Sequence, residues 1–206
     1  MQEKEKQGKA GYKETKGNRT KRELYETALR LFREKGYENV SIREIAREAG
    51  TAKGTFYIYF ATKADVIVEM LRYYDDYYEK VIGQLPEGSS PLTGIQTLVW
   101  ESCAFTEQII GVDLIRVLYI HQLMKKQEKQ EEMDRDRSLY RLLHRFFSQG
   151  QEQGLFRQEL SPEQMTAWLV RAMRGVFYEW SLENGGFDLR QETRKFTNVL
   201  LQGFQK

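Results

Sequence analysis

The chain has one cysteine, three prolines and two histidines among 206 residues, and each scarcity removes a class of structure. Cys103 alone can close no disulfide within the chain and cannot build a cysteine-clustered zinc site. His121 and His144 stand 23 residues apart, without a carboxylate or thiol at ligand spacing. No metal site and no cofactor is expected. Nowhere is there a run of roughly 18 uncharged apolar residues, the minimum for a membrane helix, and no apolar stretch follows Met1–Lys6 as it does in a secretory signal. A soluble cytoplasmic protein without a membrane partner is expected. Net charge is also nearly absent, 32 basic against 30 acidic residues, or +2. No stretch alternates apolar and polar residues over a strand length, which argues against sheets. Apolar and aromatic side chains, at 40% and 13%, are not scarce, and they exclude a wholly disordered chain. The length suits one large domain or two small ones.

The small total charge conceals a division. Residues 1–63 carry 15 Lys and Arg against 9 Asp and Glu, a surplus of +6, and the other 143 carry 17 against 21, or −4. A basic part joined to an acidic part suggests that the first meets a polyanion and the second does not.

Helix starts are frequent. Thr20-Lys-Arg-Glu23, Ser41-Ile-Arg-Glu44 and Ser161-Pro-Glu-Gln164 fit the capping box, and Pro162 falls where its missing N–H is harmless. Thr62–Asp65 and Asp188–Gln191 are looser versions. Helical periodicity follows, as in Leu24, Ala28, Leu31 and Phe32, or Met165, Trp168, Leu169 and Ala172. With breaks at glycine-rich points and at Leu85–Pro91, the pattern predicts an all-α fold of about nine helices. They are expected over 20–35, 41–49, 53–60, 63–84, 91–108, 112–122, 126–153, 162–184 and 189–204. Residues 1–18 read as a flexible basic arm, 19–65 as a three-helix domain and 66–206 as a helical bundle. Lys125–Arg137 reads as a solvated helix face or a mobile loop.

The informative stretch is Ser41–Phe60. Two short helices meeting at a sharp angle need a small residue where they cross, a turn residue tolerant of positive φ, and apolar residues facing a third helix. Ala46 is the small residue and Gly50 the turn, while Ile42, Ile45, Ala49, Phe56 and Phe60 form the inward set. This is a helix-turn-helix pattern, which an ordinary helical hairpin would not need in this order. Lys53, Thr55, Tyr57 and Tyr59 lie off the Phe56/Phe60 face and are expected to point outward, where their groups suit phosphates and thymine methyls. Gly54 would let backbone approach the phosphates, and Thr62 and Lys63 open the next helix.

Residues 20–70 resemble the DNA-binding domain of the tetracycline-repressor (TetR) family. The resemblance rests on Ser41, Ile45, Ala46, Ala49, Gly50, Lys53, Gly54, Thr55, Phe56, Tyr57, Tyr59, Phe60, Thr62 and Lys63, with Phe32–Val40 similar to the family's link between its first two helices. Thr51-Ala52 replaces the usual Val-Ser and leaves Thr51 as the expected helix cap. The candidate DNA contacts are Ser41, Arg43, Thr51, Lys53, Gly54, Thr55, Tyr57, Tyr59 and Lys63. The resemblance implies a homodimer on an inverted repeat of double-stranded DNA, with a C-terminal domain that binds a small inducer and its partner subunit.

The C-terminal sequence is compatible with both roles. Ala172, Gly175 and Val176 on one expected helix, and Phe196, Val199, Leu200 and Gly203 on the last, suit an intersubunit four-helix bundle; closing the monomer core is the other use for such faces. Met165, Trp168 and Glu179 fall near the first of these stripes. Aromatics are dense between 73 and 180, and Trp100, Cys103, Tyr119, Trp168 and Phe177 are the candidate lining of a pocket for a largely apolar or aromatic ligand. Core packing is the other reading for each of them. No nucleophile–base set or phosphate-cradling glycine loop appears, so no enzymatic activity is expected. The expected function is a ligand-released DNA-binding repressor, the alternative being a protein of the same fold whose C-terminal domain holds another protein.

Overall fold

The computed structural model describes residues 16–124 and 137–206. Most of the expected arm and nearly all of the mixed-charge run therefore lie outside the described residues. Within them are nine α-helices: α1 Lys16–Lys35, α2 Ile42–Glu48, α3 Lys53–Tyr59, α4 Lys63–Gly83, α5 Pro91–Phe105, α6 Gly111–Met124, α7 Ser138–Glu152, α8 Pro162–Leu182 and α9 Leu189–Phe204. The fold is all-α, and the only β feature among the described residues is an isolated bridge between Phe156 and Gln205. The chain divides into two compact units, Met1–Lys63 and Ala64–Lys206.

Several boundaries differ from the sequence reading, for local reasons. Helix α1 begins at Lys16, because the Thr20 hydroxyl donates to the Lys16 carbonyl (3.1 Å) as a mid-helix residue instead of capping a start. Helix α5 stops at Phe105, and a five-residue π-turn, Thr106–Ile110, follows before Gly111 at φ 75°. Helix α7 starts at Ser138, where the expected helix began twelve residues earlier. Its first amide finds its acceptor far away in sequence, the Asp75 carboxylate on α4 (3.1 Å). The capping box at Ser161 and Gln164 forms in both directions, at 3.2 and 2.9 Å, and opens α8 as expected.

The first unit has a small core. Leu24, Ala28, Leu31 and Phe32 of α1 are buried, as are Ile45, Ala46, Phe56 and Phe60 of the two short helices, whereas Ile42 and Ala49 are half-buried. In the second unit α7 packs on α5 and α8, and α9 packs on α5 and α8. Met165 belongs to this core, fully buried, and so turns away from the stripe in which the sequence placed it. Two glycines let aromatic rings into the packing. A Cβ at Gly94 would overlap the Phe146 ring, and one at Gly150 would overlap that of Phe156.

Alanine is the better helix former by about 1 kcal/mol, yet Gly150→Ala should destabilise this protein. The Phe156 ring is fully buried and cannot withdraw, so overpacking of about 1–3 kcal/mol should win. Urea titration followed by circular dichroism measures it; an unchanged or raised midpoint contradicts the packing argument.

Candidate nucleic-acid interface and ligand cavity

The turn between α2 and α3 is built at the C-terminus of α2. Gly50 takes φ 67°, its N–H donates to the Arg47 carbonyl (3.1 Å), and the Thr51 N–H reaches back to the Ala46 carbonyl (2.8 Å). These two bonds make a Schellman closure, which favours glycine at the left-handed position. Ala46 is buried beside it and small enough for α3 to cross closely. The Thr51 hydroxyl also bonds the Ala46 carbonyl (3.3 Å), so it does not cap α3 as the sequence suggested. The cap position is Ala52, which offers no side-chain acceptor. Ser41 does cap α2, accepting the Glu44 N–H at 3.1 Å, and its hydroxyl proton remains to donate elsewhere.

Helix α3 sorts its side chains by angle. Phe56 and Phe60 are fully inside, while Lys53, Gly54, Tyr57 and Ile58 are exposed and Thr55 is half-buried. Tyr59 departs from expectation: it is half-buried with its hydroxyl beside Gly17, which the fold of α1 brings to it. Ile58 was missed. At 75% exposed it is the most accessible large apolar side chain among the described residues of the first unit, and its place two residues from Phe56, about 200° round a helix, makes that legible in the sequence. Nothing among the described residues opposes a Cβ at Gly54, and its backbone does not call for glycine.

Charge separates this face from the rest of the unit. Three cations of α1 are matched along the helix, Arg19 with Glu23, Arg22 with Glu26 and Arg30 with Glu34. Lys35 reaches Glu44 at 2.6 Å, and its ammonium holds that carboxyl below the usual carboxylate range. Arg43 and Lys53 have no carboxylate partner among the described residues, and Lys53 instead lies over the Tyr57 ring (5.8 Å). Lys63 is different again. Its ammonium donates to the carbonyls of Tyr37 (2.6 Å) and Val40 (2.9 Å) and sits 4.0 Å from the Tyr37 ring centroid, so two of its three donors close the α1–α2 link. Desolvation lowers its pKa.

The second unit holds a cavity of about 100 Å³. Helix α4 supplies Leu71, Tyr74 and Tyr78, α6 supplies Ile115, Leu118 and Tyr119, and α8 supplies Val170, Met173 and Phe177. Tyr74 and Tyr78 lie deep, bonded to Thr106 (2.6 Å) and Ser102 (2.8 Å), and burial drives both phenols well above their ordinary range. Burial likewise pushes Tyr119 up to about 12. These phenols stay neutral and act as hydrogen-bonding groups. Arg137 stands at one wall, tied to Asp75 (3.4 Å) and the Leu71 carbonyl (2.9 Å).

Of the five candidate pocket residues, Tyr119 and Phe177 line this cavity and three do not. Trp100 and Cys103 face a separate cleft between α5 and α9, because they lie on the other side of α5 from Ser102. Trp168 packs against Phe204 (6.1 Å between centroids) and remains 40% exposed, on the outer side of α8. Gly175, Phe196, Val199 and Gly203 are exposed, and Ala172, Val176 and Leu200 are half-buried. The terminal helices therefore leave an apolar surface unused by the core of this chain. Among the described residues no group of three His, Cys, Asp or Glu could hold a metal, and no helix is long and apolar enough to cross a membrane.

Residues 24–70 match the family of bacterial regulatory proteins, tetR family. The chain is 25% identical over 190 residues, 92% of its length and 94% of the relative's, to the HTH-type transcriptional repressor KstR2 of Mycobacterium tuberculosis. It is 37% identical over 95 residues to YuxN, an HTH-type transcriptional regulator of Bacillus subtilis; that alignment spans 44% of this chain and 33% of the relative. Among solved structures it resembles Thermus thermophilus FadR, a TetR family transcriptional repressor in complex with lauroyl-CoA. The TM-score is 0.69 at 23% identity, covering 89% of this chain and 94% of that one.

Two outcomes test these assignments. Lys63→Met should lower the unfolding midpoint, since two carbonyls lose a charged donor worth about 1.5–3 kcal/mol each. A midpoint equal to that of the unsubstituted protein would remove the clamp role. Burial pushes the Cys103 thiol up to about 11. Iodoacetamide at about pH 8 should thus leave it unmodified in the folded protein and label it in denaturant; prompt labelling of the native state contradicts this.

Proposed function

This chain belongs to the tetR family of bacterial transcriptional regulators, and we propose that it is a homodimeric repressor that leaves an inverted-repeat operator when a small, largely apolar ligand enters the cavity between α4, α6 and α8. The observation that carries the reading is the outer face of α3. Tyr57 and Ile58 stand exposed beside Lys53, and Arg43 lies on the neighbouring helix with no acid to neutralise it among the described residues. Exposed apolar side chains beside solvated cations suit a groove that offers methyl groups and phosphates. Ser41 and Thr55 hydroxyls add phosphate donors, and Gly54 lets the backbone approach. Thr51, Tyr59 and Lys63 support this face from within the unit.

The exposed apolar surface of α8 and α9 supports dimerisation, since two such helix pairs make a four-helix bundle. A dimer would present two α3 helices to successive major grooves about 34–36 Å apart. The cavity supports the switch. At about 100 Å³ it is below the roughly 300 Å³ that ligand sites usually provide, so a ligand must separate the helices that line it. Helix α4 contributes Leu71, Tyr74 and Tyr78 to that lining and begins at Lys63, the last residue of the DNA-reading unit. Ligand then favours a form with another α3 spacing, and the operator is released in proportion to the ligand's preference for that form. FadR carries lauroyl-CoA, and an acyl chain suits the apolar walls here while phenols and Arg137 suit its polar end.

The test is selection of bound sequences from genomic DNA, then fluorescence anisotropy on the selected site at fixed salt. Tyr57→Ala should weaken binding at least about tenfold, or about 1.4 kcal/mol, with an unchanged unfolding midpoint. Lauroyl-CoA should release the unsubstituted protein. Full affinity in Tyr57→Ala sinks the reading-face assignment, and DNA binding indifferent to lauroyl-CoA and to shorter and aromatic acyl thioesters sinks the ligand assignment.

A further inference from the structure

The cleft between α5 and α9 has a volume of about 370 Å³, within the usual range for small-molecule sites, and is distinct from the cavity treated above. Val99 and Cys103 form a buried apolar floor, and Trp100 stands at the rim, 38% exposed. Two arginines from the first half of α9 lie over the indole, their guanidinium carbons 5.5 Å (Arg190) and 5.9 Å (Arg194) from the ring centroid. They are not equivalent. Arg190 is matched by Glu107, with Nε 2.8 Å from the carboxylate. Arg194 forms no ion pair among the described residues. Glu101, the acid in the lining, already accepts the Tyr77 hydroxyl.

An arginine laid on an indole has its plane fixed, so its N–H edge is oriented in advance for a carboxylate or phosphate. Ordering that side chain on binding would cost less than ordering a solvated one. Gln96 and Asn198, whose amides approach to 3.4 Å across the cleft, supply neutral donors beside it. The cleft is also clear of the apolar surface on α9. Arg194 and Phe196 are two residues apart, about 200° round the helix axis, so a partner seated on Phe196 and Val199 leaves Arg194 uncovered.

We propose that this cleft is a second binding site, for a small planar oxyanion: an aromatic ring against the open part of Trp100 and the Val99/Cys103 floor, with its carboxylate or phosphate held bidentate by Arg194. The site does not depend on the operator reading, and its test uses no DNA.

Titration calorimetry of the full chain with 1-naphthoate, 1-naphthyl phosphate, 1-naphthalenemethanol and inorganic phosphate separates the components. Saturable binding of either naphthyl anion is expected, and the tighter of the two identifies the oxyanion. Arg194→Gln should weaken it at least about tenfold, Trp100→Leu should do likewise, and Lys80→Gln, at an exposed cation outside the lining of either space, should change nothing. Arg194 is exposed and without an ion pair among the described residues, so Arg194→Gln should keep the native helicity and midpoint. No saturable binding, binding indifferent to Arg194→Gln, or equal binding of the neutral alcohol overturns the proposal. Inorganic phosphate bound as tightly as the naphthyl anions removes the ring from it.

Discussion

The carbonyl of Ala46 holds the helix-turn-helix together. It accepts both the N–H and the hydroxyl of Thr51, and this closure at Gly50 fixes the angle between two helices of seven residues each. Neither helix is long enough to persist alone in water. Their order comes from the turn, from the Phe56 and Phe60 rings they bury, and from the Lys63 ammonium that pins the carbonyls of the preceding link. With these groups held inside, Lys53, Tyr57 and Ile58 have nowhere to go but outward.

The second unit meets a different constraint. It buries tyrosines, and a buried phenol must have a partner. Ser102 serves Tyr78, and Thr106, at the start of the π-turn, serves Tyr74 while also bonding the Ser102 carbonyl. Asp75 receives both the Arg137 side chain and the first amide of α7. Polar groups on α4, α5 and α7 are thereby satisfied around one small cavity. Such a set tolerates a changed separation of helices only if a ligand replaces the contacts it breaks.

Helix α5 separates two spaces of opposite chemistry. Ser102 turns toward the phenol-lined cavity, while Trp100 and Cys103 turn toward a cleft with two arginines at its rim. One helix with apolar residues on both sides serves both, and α7 and α9 both pack on it.

Read alone, the sequence determined the all-α class, the helix-turn-helix and the caps of α2, α8 and α9, because each depends on residues within about four positions of one another. It also determined the basic-to-acidic division and the outward placing of Lys53 and Tyr57 on α3; Ile58 was missed, although its angle from Phe56 follows from helical geometry. It could not determine where Tyr59 and Lys63 would point, since Gly17 and the carbonyls of Tyr37 and Val40 are brought to them by folding. The start of α7 depends on an acceptor 63 residues away. Among the aromatics, periodicity marks which side chains leave the solvent but not which space they enter. Only the packing of α5 against α7 and α9 parts Trp100 and Cys103 from Tyr119 and Phe177, and only the tertiary structure leaves Arg194 over the indole with no acid among the described residues to match it.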